Sequence, residues 1–311
     1  CNMISCCAID KTKRWIVTAD MGHDAIIIVW DSFTYLPVKT FPSPHVNGFV
    51  AVDFSDDGAY IATLSALSTE GILDQELCIW SWSSDDELPI QRTQVPAGNV
   101  FHEVRFSQSN SSQLVTTSEQ AVHYWDWSGF ALESYKGKIS KTDIGFFSGE
   151  FTTSIFLPES DISLTATSQG YIIVWENKKD PNAKPPINNQ QKVSYVKTAV
   201  KVVRLLECGV NVMEVTSNKY LVLGCQDGAV RFYDFYLRLE AWFEDLNAGP
   251  VASLSFSVQD CPYPYGEAGQ PGLRFWVPEF TVSTRKGFVV GVDSATFDEV
   301  RRENRRGTLL M

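Results

Sequence analysis

Carboxylates and imidazoles are the side chains of this 311-residue chain that could carry acid–base or metal chemistry. The four histidines fall in separate segments without the spacing of metal ligands, at His23, His45, His102 and His123. Asp53 and His123 would meet only if the fold brought their strands together at a central axis. The sequence has no G-x-S-x-G, H-E-x-x-H, phosphate-loop or G-x-G-x-x-G motif. We therefore predict a chain that is not an enzyme, with no catalytic residue, cofactor or metal site.

Adjacent polar residues have structural interpretations. His102 and Glu103 open a predicted strand, in which successive side chains point to opposite faces, so we interpret them as structural or solvent-facing. The segments DMGHDA at Asp20 and DDGAY at Asp56 resemble calcium loops but lack the spaced oxygen ligands and the distant glutamate. Both are predicted to be turns.

Charge and cysteine content exclude several classes of function. The formal net charge of -11 repels phosphate backbones, so nucleic acid is not expected as a partner. The seven cysteines are odd in number and include no C-x-x-C pair, which favours reduced thiols in a protein on the cytosolic side. No apolar run reaches the roughly 20 residues of a membrane span, so no membrane association is expected.

A recurrent strand ending organises the chain. Five apolar runs end in an aromatic residue, and a sixth ends in valine, at Trp30, Trp80, Trp125, Trp175, Tyr233 and Val292. The separations of 50, 45, 50, 58 and 59 residues indicate a repeated structural unit. Aspartate follows the aromatic residue at Asp31, Asp126 and Asp234, but Ser81 and Glu176 take its place elsewhere. An obligatory catalytic carboxylate at this position is therefore excluded, and we interpret the aromatic side chains as packing between neighbouring units.

Three further markers complete the unit. An alternating strand such as VAVDFS (50–55) opens most units, and a strand rich in small residues such as QLVTTSE (113–119) follows. A polar strand such as LPVKTF (36–41) follows the aromatic one. Four antiparallel strands in about 45 residues are typical of a β-propeller blade, and the Trp-Asp ending resembles WD repeats. A β-sandwich would not repeat the same markers, and we expect the small residues at the crowded centre of the propeller.

The sequence therefore predicts an all-β, WD-repeat β-propeller over residues 1–300, followed by a polar linker or tail at 301–311. Six blades are recognised, at approximately 2–47, 48–97, 98–147, 148–205, 206–248 and 249–300. Insertions without strand periodicity are predicted at 176–192 and 259–272. Because an open ring would expose strand edges, we expect a seventh blade to be supplied from outside this segment.

The sequences of two segments indicate a narrower class of WD-repeat protein. The segments 13–41 and 228–257 resemble the N-terminal propeller of the cilia- and flagella-associated protein 251 family, ciliary WD-repeat proteins of the calmodulin- and spoke-associated complex. The resemblance follows the same order over most of the chain and is weak in 83–98 and both insertions. It implies a non-catalytic scaffold of the motile-cilium axoneme that helps to attach the base of radial spoke 3 to doublet microtubules and supports motility. The implied partners are other subunits of that complex, radial spoke 3 proteins, calmodulin and tubulin.

Basic residues in the first insertion and the tail are candidate contacts with an acidic partner such as tubulin. They are Lys178, Lys179, Lys184, Arg301, Arg302, Arg305 and Arg306. Their alternative role is to solvate an insertion and a linker. The alternative function is a peptide- or substrate-receptor subunit of a non-ciliary assembly, because WD-repeat propellers also bind peptides at the opening of the ring.

Overall fold

A computed structural model describes residues 2–45, 47–67, 74–128, 131–140, 146–179, 195–244, 246–258, 276–293 and 295–296. The regular elements of these residues are all β-strands, so the predicted all-β class is confirmed. No helix in these ranges is long and apolar enough to cross a membrane. The chain forms two compact units, residues 1–146, 154–164 and 173–202, and residues 147–153, 165–172 and 203–311.

The first unit contains three complete antiparallel sheets, and each has its four strands in chain order. The first sheet consists of β1 (Met3–Ile9), β2 (Trp15–Met21), β3 (Ile26–Asp31) and β4 (Pro37–Pro42). The second consists of β5 (Phe49–Phe54), β6 (Tyr60–Ser65), β7 (Glu76–Ser81) and β8 (Gln91–Gln94). The third consists of β9 (Phe101–Phe106), β10 (Gln113–Ser118), β11 (Val122–Asp126) and β12 (Glu133–Lys136).

The remaining strands continue the pattern. A fourth sheet, with residues assigned to both units, consists of β13 (Phe151–Phe156), β14 (Ser163–Thr167), β15 (Tyr171–Lys179) and β16 (Tyr195–Arg204). The second unit has a fifth sheet of β17 (Val210–Val215), β18 (Leu221–Cys225), β19 (Val230–Tyr233) and β20 (Leu239–Phe243). It also has a sixth of β21 (Val251–Phe256), β23 (Phe280–Thr284) and β24 (Val289–Val292), and a pair of β22 (Trp276–Val277) with β25 (Ala295–Thr296).

The predicted blade is thus present, but one detail was wrong. Residues 176–179 continue β15, because the ten-residue partner β16 supplies backbone groups along this length, so they are not part of an irregular insertion. Within the described residues the sixth sheet shows three strands, and Trp276–Val277 pairs with β25, so a fourth strand of this blade stays a prediction. Residues 180–192, 259–272 and 301–311 lie outside the described residues.

The placement of small residues at the centre was also wrong. In the first unit the opening strands approach one another, because β5 packs against both β1 and β9. The small-residue strands are instead the second strands, and β6, β10, β14 and β18 are buried on both faces. A strand covered on both faces favours compact or β-branched side chains. The small-residue marker therefore reports packing between two layers.

Each hydrophobic core lies between successive sheets. Phe41 of the first sheet packs 5.2 Å from the ring of Trp80 in the second, and Trp15 lies 5.1 Å from Trp82. Trp125 of the third sheet is buried among side chains of the second. In the second unit, Phe232 and Phe280 join the fifth sheet to the sixth, with their rings 5.8 Å apart.

Gly48 shows how closely the backbones approach. Its φ is +78°, and a Cβ there would lie 2.4 Å from the carbonyl oxygen of Asp20. Gly58 has a similar φ of +68°, but a Cβ there would meet open space. The two glycines therefore share the backbone constraint and differ in the space around them.

We expect Gly48→Ala to lower the free energy of unfolding by about 1–3 kcal/mol more than Gly58→Ala, because only the first adds a steric overlap to the strained φ. Urea unfolding of both variants measures the difference. Equal destabilisation would contradict the close approach of Gly48 to β2.

Candidate functional site

The recurrent tryptophans tie the second and third strands of a sheet together. The indole Nε1 donates a hydrogen bond of 2.9 Å to a threonine Oγ1 in three sheets, in the pairs Trp30–Thr18, Trp80–Thr63 and Trp125–Thr116. Each acceptor lies diagonally across the ladder, within reach of a long side chain. The bond satisfies an indole N–H that the core would otherwise leave unpaired.

Trp175 and Tyr233 occupy the equivalent positions of the fourth and fifth sheets. Trp175 is fully buried, with its ring centroid 6.1 Å from that of Tyr124 in the third sheet. Gly137 provides space for the indole, because a Cβ there would lie 2.7 Å from a ring atom. Tyr233 is also buried, opposite Leu221 in the ladder. Both side chains are thus enclosed by packing and cannot meet a ligand.

The aspartates that follow the aromatic residues shape turns. Asp31 Oδ1 accepts a hydrogen bond of 2.9 Å from the backbone N–H of Phe33, and Asp126 Oδ1 accepts one of 2.8 Å from that of Ser128. An aspartate that binds its own backbone two residues ahead forms an Asx turn. These carboxylates therefore direct the chain from the third strand into the fourth.

Asp234 repeats this arrangement in a more buried setting. Its Oδ1 accepts bonds from the backbone N–H groups of Tyr236 and Arg238 at 3.0 and 2.8 Å. Its Oδ2 accepts a bond of 2.6 Å from Nε of Arg238. The guanidinium is 63% exposed and the carboxylate 1% exposed, so the arginine covers the turn from the solvent side.

Asp53 and His123 contact different residues and do not form the pair considered from the sequence. Asp53 Oδ2 accepts a bond of 2.7 Å from the backbone N–H of Phe106. His123 packs edge-on against Phe101, with a centroid distance of 5.3 Å. Burial, with a smaller contribution from the nearby charge of Lys136, lowers the pKa of His123 to about 4. The imidazole is therefore neutral and embedded in a core at neutral pH.

The remaining polar candidates also have structural partners. His102 is exposed, whereas Glu103 is partly buried and accepts a bond of 3.0 Å from the Thr117 hydroxyl, which confirms the predicted opposite faces. Asp20 accepts a bond from the backbone N–H of Ile26, as expected for a turn. The calcium-like loop after Phe54 is likewise a turn.

A small cleft lies beside the ends of the opening strands in the first unit. Its volume is about 120 Å³, whereas small-molecule sites occupy roughly 300–1,000 Å³. Lys11 and Asp56 at its rim form an ion pair of 2.8 Å. Asp53 faces the cleft but binds the backbone of β9. The cleft is thus too small for a substrate of ordinary size.

One cluster in the second unit was missed by sequence reasoning. The Sγ atoms of Cys208 and Cys225 and a carboxylate oxygen of Asp227 lie within 4.8 Å of one another. These three are the one group in the described ranges with the donor types and spacing for a metal ion. The signal available was one cysteine just before β17 and another at the end of β18, but they are 17 positions apart and no motif links them.

An exposed apolar segment, which we call the aromatic turn (residues 33–38), was also missed. Phe33, Tyr35 and Leu36 are 74%, 82% and 63% exposed, and Val38 is half-exposed. The Asx turn of Asp31 fixes the segment, and the backbone N–H of Tyr35 also donates to the Asp31 carbonyl at 2.8 Å. In the sequence, the available signal was a run of apolar residues between two predicted strands.

The basic candidates divide in two. Lys178 and Lys179 are exposed at the end of β15. The other five, Lys184, Arg301, Arg302, Arg305 and Arg306, lie outside the described residues. Contact of all seven with an acidic partner stays a prediction.

Comparison with known proteins decides the family. A family model described as the CFAP251 N-terminal domain matches residues 1–297. The chain belongs to the CFAP251 family. It is 34% identical to cilia- and flagella-associated protein 251 of Chlamydomonas reinhardtii, over 99% of this chain and 39% of that protein. It is 30% identical to the protein of the same name from Tetrahymena thermophila, over 100% of this chain and 32% of that protein.

The family resemblance drawn from 13–41 and 228–257 is thereby confirmed. The chain spans about a third of the length of these curated relatives. Among solved structures, the β-propeller domain of Myceliophteria thermophila Cps50 (Swd1) matches with a TM-score of 0.61 and 13% identity, covering 94% of this chain and 87% of that one. This likeness, with the order of strands in each sheet, confirms the β-propeller fold.

We expect Thr63→Val to lower the free energy of unfolding by about 1–3 kcal/mol. Valine has the same shape as threonine but no hydroxyl, so the buried indole N–H of Trp80 loses its acceptor. Thr281→Val, at an exposed position of β23, is the matched control and should change stability by less than about 0.5 kcal/mol. Denaturant midpoints compare the two. If Thr63→Val left the free energy of unfolding unchanged, the hydrogen bond between Trp80 and Thr63 would not stabilise the fold.

The lowered pKa of His123 predicts a dependence of stability on pH. The unfolded chain takes up a proton on this histidine below about pH 6.5, whereas the folded chain does so only near pH 4. The free energy of unfolding should therefore fall as pH decreases through this window, by at most about 1.4 kcal/mol per pH unit for one proton. His123→Phe should flatten that slope. Near pH 8 the free energies of unfolding of the variant and the wild type should change with pH in the same way. Unchanged slopes in urea titrations from pH 8 to pH 4.5 would contradict a neutral buried imidazole.

Proposed function

We propose that the chain is a non-catalytic structural scaffold of the motile-cilium axoneme, and that it helps to attach the base of radial spoke 3 to doublet microtubules. In this role it supports ciliary motility. The observation that carries the proposal is the match of residues 1–297 to the CFAP251 N-terminal domain. The relatives are named for their association with cilia and flagella.

The use of the polar residues supports a scaffold over an enzyme. The aspartates of the strand endings and the buried histidine are engaged in turns and cores. The cleft of about 120 Å³ does not accommodate a substrate of ordinary size. The match to a family named for cilia and flagella favours this role over the alternative function, a receptor for peptides in a non-ciliary assembly.

The partners proposed are protein subunits: the rest of the calmodulin- and spoke-associated complex, radial spoke 3 proteins, calmodulin and tubulin. Tyrosine and phenylalanine are enriched at the centres of protein interfaces, where they bury large areas at a low entropic cost. The aromatic turn presents both residue types on a backbone fixed by Asp31. We assign it to contact with another subunit of the complex, and Lys178 and Lys179 to contact with an acidic surface such as that of tubulin.

The proposal is tested with the tagged full-length protein in cells that have no other copy. It should remain with axonemes after detergent extraction, recur along each doublet at the base of radial spoke 3, and be lost from axonemes that lack this spoke. A protein that is released by detergent, or that stays in the cell body, would refute the proposal.

The double variant Phe33→Ser, Tyr35→Ser should fold and yet be retained on axonemes less than the wild type, because it removes exposed aromatic area without touching a core. Phe288→Ser, Val289→Ser is the matched control, since these side chains are also exposed, at 56% and 72%. Quantitative blotting of axonemal and soluble fractions, with a thermal melt of each variant, gives the result. Equal retention of both variants would rule out the aromatic turn as a contact.

A further inference from the structure

Two cysteine thiols that play no part in the blade signature face each other in the second unit. Their Sγ atoms lie within 4.8 Å of each other, and the Cys225 thiol donates to the carbonyl oxygen of Leu223 at 3.6 Å. Backbone bonds hold the two segments side by side: Cys225 pairs with Val210, and the N–H of Gln226 donates to the carbonyl of Gly209 at 2.8 Å. The proximity of the thiols thus follows from the strand ladder.

The two thiols differ in access and in protonation. Cys225 is fully buried, whereas Cys208 is partly exposed and can be reached by a small solute. Hydrogen bonding of the Cys225 thiol to a Cys208 thiolate lowers the pKa of Cys208 to about 7, and the same interaction, together with burial, raises the pKa of Cys225. At neutral pH a substantial fraction of Cys208 is therefore thiolate, which is the nucleophilic form, while Cys225 keeps its proton.

A metal ion is the competing occupant, and the surrounding charges oppose it. Arg231 donates to both carboxylate oxygens of Asp227, with distances of 3.1 Å to Oδ1 and 2.6 Å to Oδ2. The carboxylate is therefore occupied, and the guanidinium would repel a divalent cation. The two thiols are then the remaining ligands of the cluster, whereas zinc sites in proteins take three or four protein ligands.

We propose that Cys208 and Cys225 form a peroxide-sensitive dithiol, a modification site that a hydroperoxide oxidises to an intramolecular disulfide and that a dithiol reductant restores. The Cys208 thiolate attacks one oxygen of the peroxide, so that an S–O bond forms and the O–O bond breaks. Hydroxide leaves and takes up a proton to become water. The product at Cys208 is a sulfenic acid.

The second step consumes the buried thiol. The sulfur of Cys225 attacks the sulfur of the sulfenic acid, so that the S–S bond forms and the S–O bond breaks. The departing hydroxide takes the thiol proton and becomes a second water. Two thiols and one peroxide thus give one disulfide and two waters. Because a disulfide has a sulfur separation of about 2.05 Å, the two sulfurs must move together from within 4.8 Å before the bond forms.

The neighbouring backbone keeps Cys208 in place for this reaction. A Cβ at Gly170 would lie 2.7 Å from the carbonyl oxygen of Cys208, so the segment is packed tightly against a turn of its own unit. The N–H of Leu205 also donates to the carbonyl of Gly170 at 3.0 Å. The reactive thiol therefore sits on a fixed segment beside its partner.

The test treats the whole 311-residue chain with hydrogen peroxide, alkylates the remaining thiols and maps the cysteines by mass spectrometry. The expected product is a disulfide between Cys208 and Cys225 with the loss of two hydrogens, reversed by dithiothreitol. Cys78→Ser, which removes a buried thiol in the first unit, is the control and should leave the disulfide intact. A Cys208 that stays reduced, or that pairs with a different cysteine, overturns the proposal.

Single substitutions separate the two steps. With Cys225→Ser, peroxide should leave a sulfenic acid at Cys208 that dimedone traps, whereas Cys208→Ser should give no label on the buried Cys225. With Cys225→Ala, alkylation of Cys208 at pH 7 should slow by about tenfold, because an ordinary thiol is only a few per cent thiolate at that pH. Unchanged alkylation would overturn the proposal. So would stoichiometric Zn²⁺ binding that protects both thiols of the untreated chain, because it would show a metal site.

Discussion

The need to pair a buried indole N–H governs the architecture. A tryptophan at the end of the third strand contributes a large apolar surface to the core, yet its nitrogen must find an acceptor away from water. Thr18, Thr63 and Thr116 supply that acceptor from the second strand, each at 2.9 Å. The same bond fixes which face of each hairpin carries the indole. That face packs against the preceding sheet, as Trp80 does on Phe41, so one interaction links the ladder within a blade to the core between blades.

The aspartate of the signature acts one step later in the chain. Because Asp31 and Asp126 bind backbone N–H groups two residues ahead, they set the direction of the turn and therefore the position of the fourth strand. In the first sheet that turn carries exposed aromatic side chains. A residue type that looks catalytic beside a tryptophan thus serves to shape a surface. With its polar residues used in this way, the chain leaves its outer loops as the place where binding is expected, as is common for proteins with a rigid framework.

Periodicity in the sequence was enough to predict the strands, the blades and their order, because a repeated unit leaves the same residue types at the same spacing. It failed where the signal depends on contacts. The small residues of β10 indicate a strand buried on both faces, and not a strand at the centre of the propeller. The sequence by itself does not distinguish these two positions. Residues 176–179 look irregular, yet the long partner β16 extends β15 through them. The Cys208–Cys225 pair could not be predicted, since its geometry comes from the register of one hairpin.

Asparagine separates a structural role of the strand-ending aspartates from a role that needs their charge, because its side-chain oxygen can accept the same turn hydrogen bond without the charge. The decisive measurement is ciliary beating in cells whose only copy of the protein carries Asp31→Asn and Asp126→Asn. We expect a folded protein on the axoneme and beating restored to the wild-type frequency. A variant that folds and reaches the axoneme but leaves the cilia immotile would show that the charge of these aspartates has a role beyond the turns.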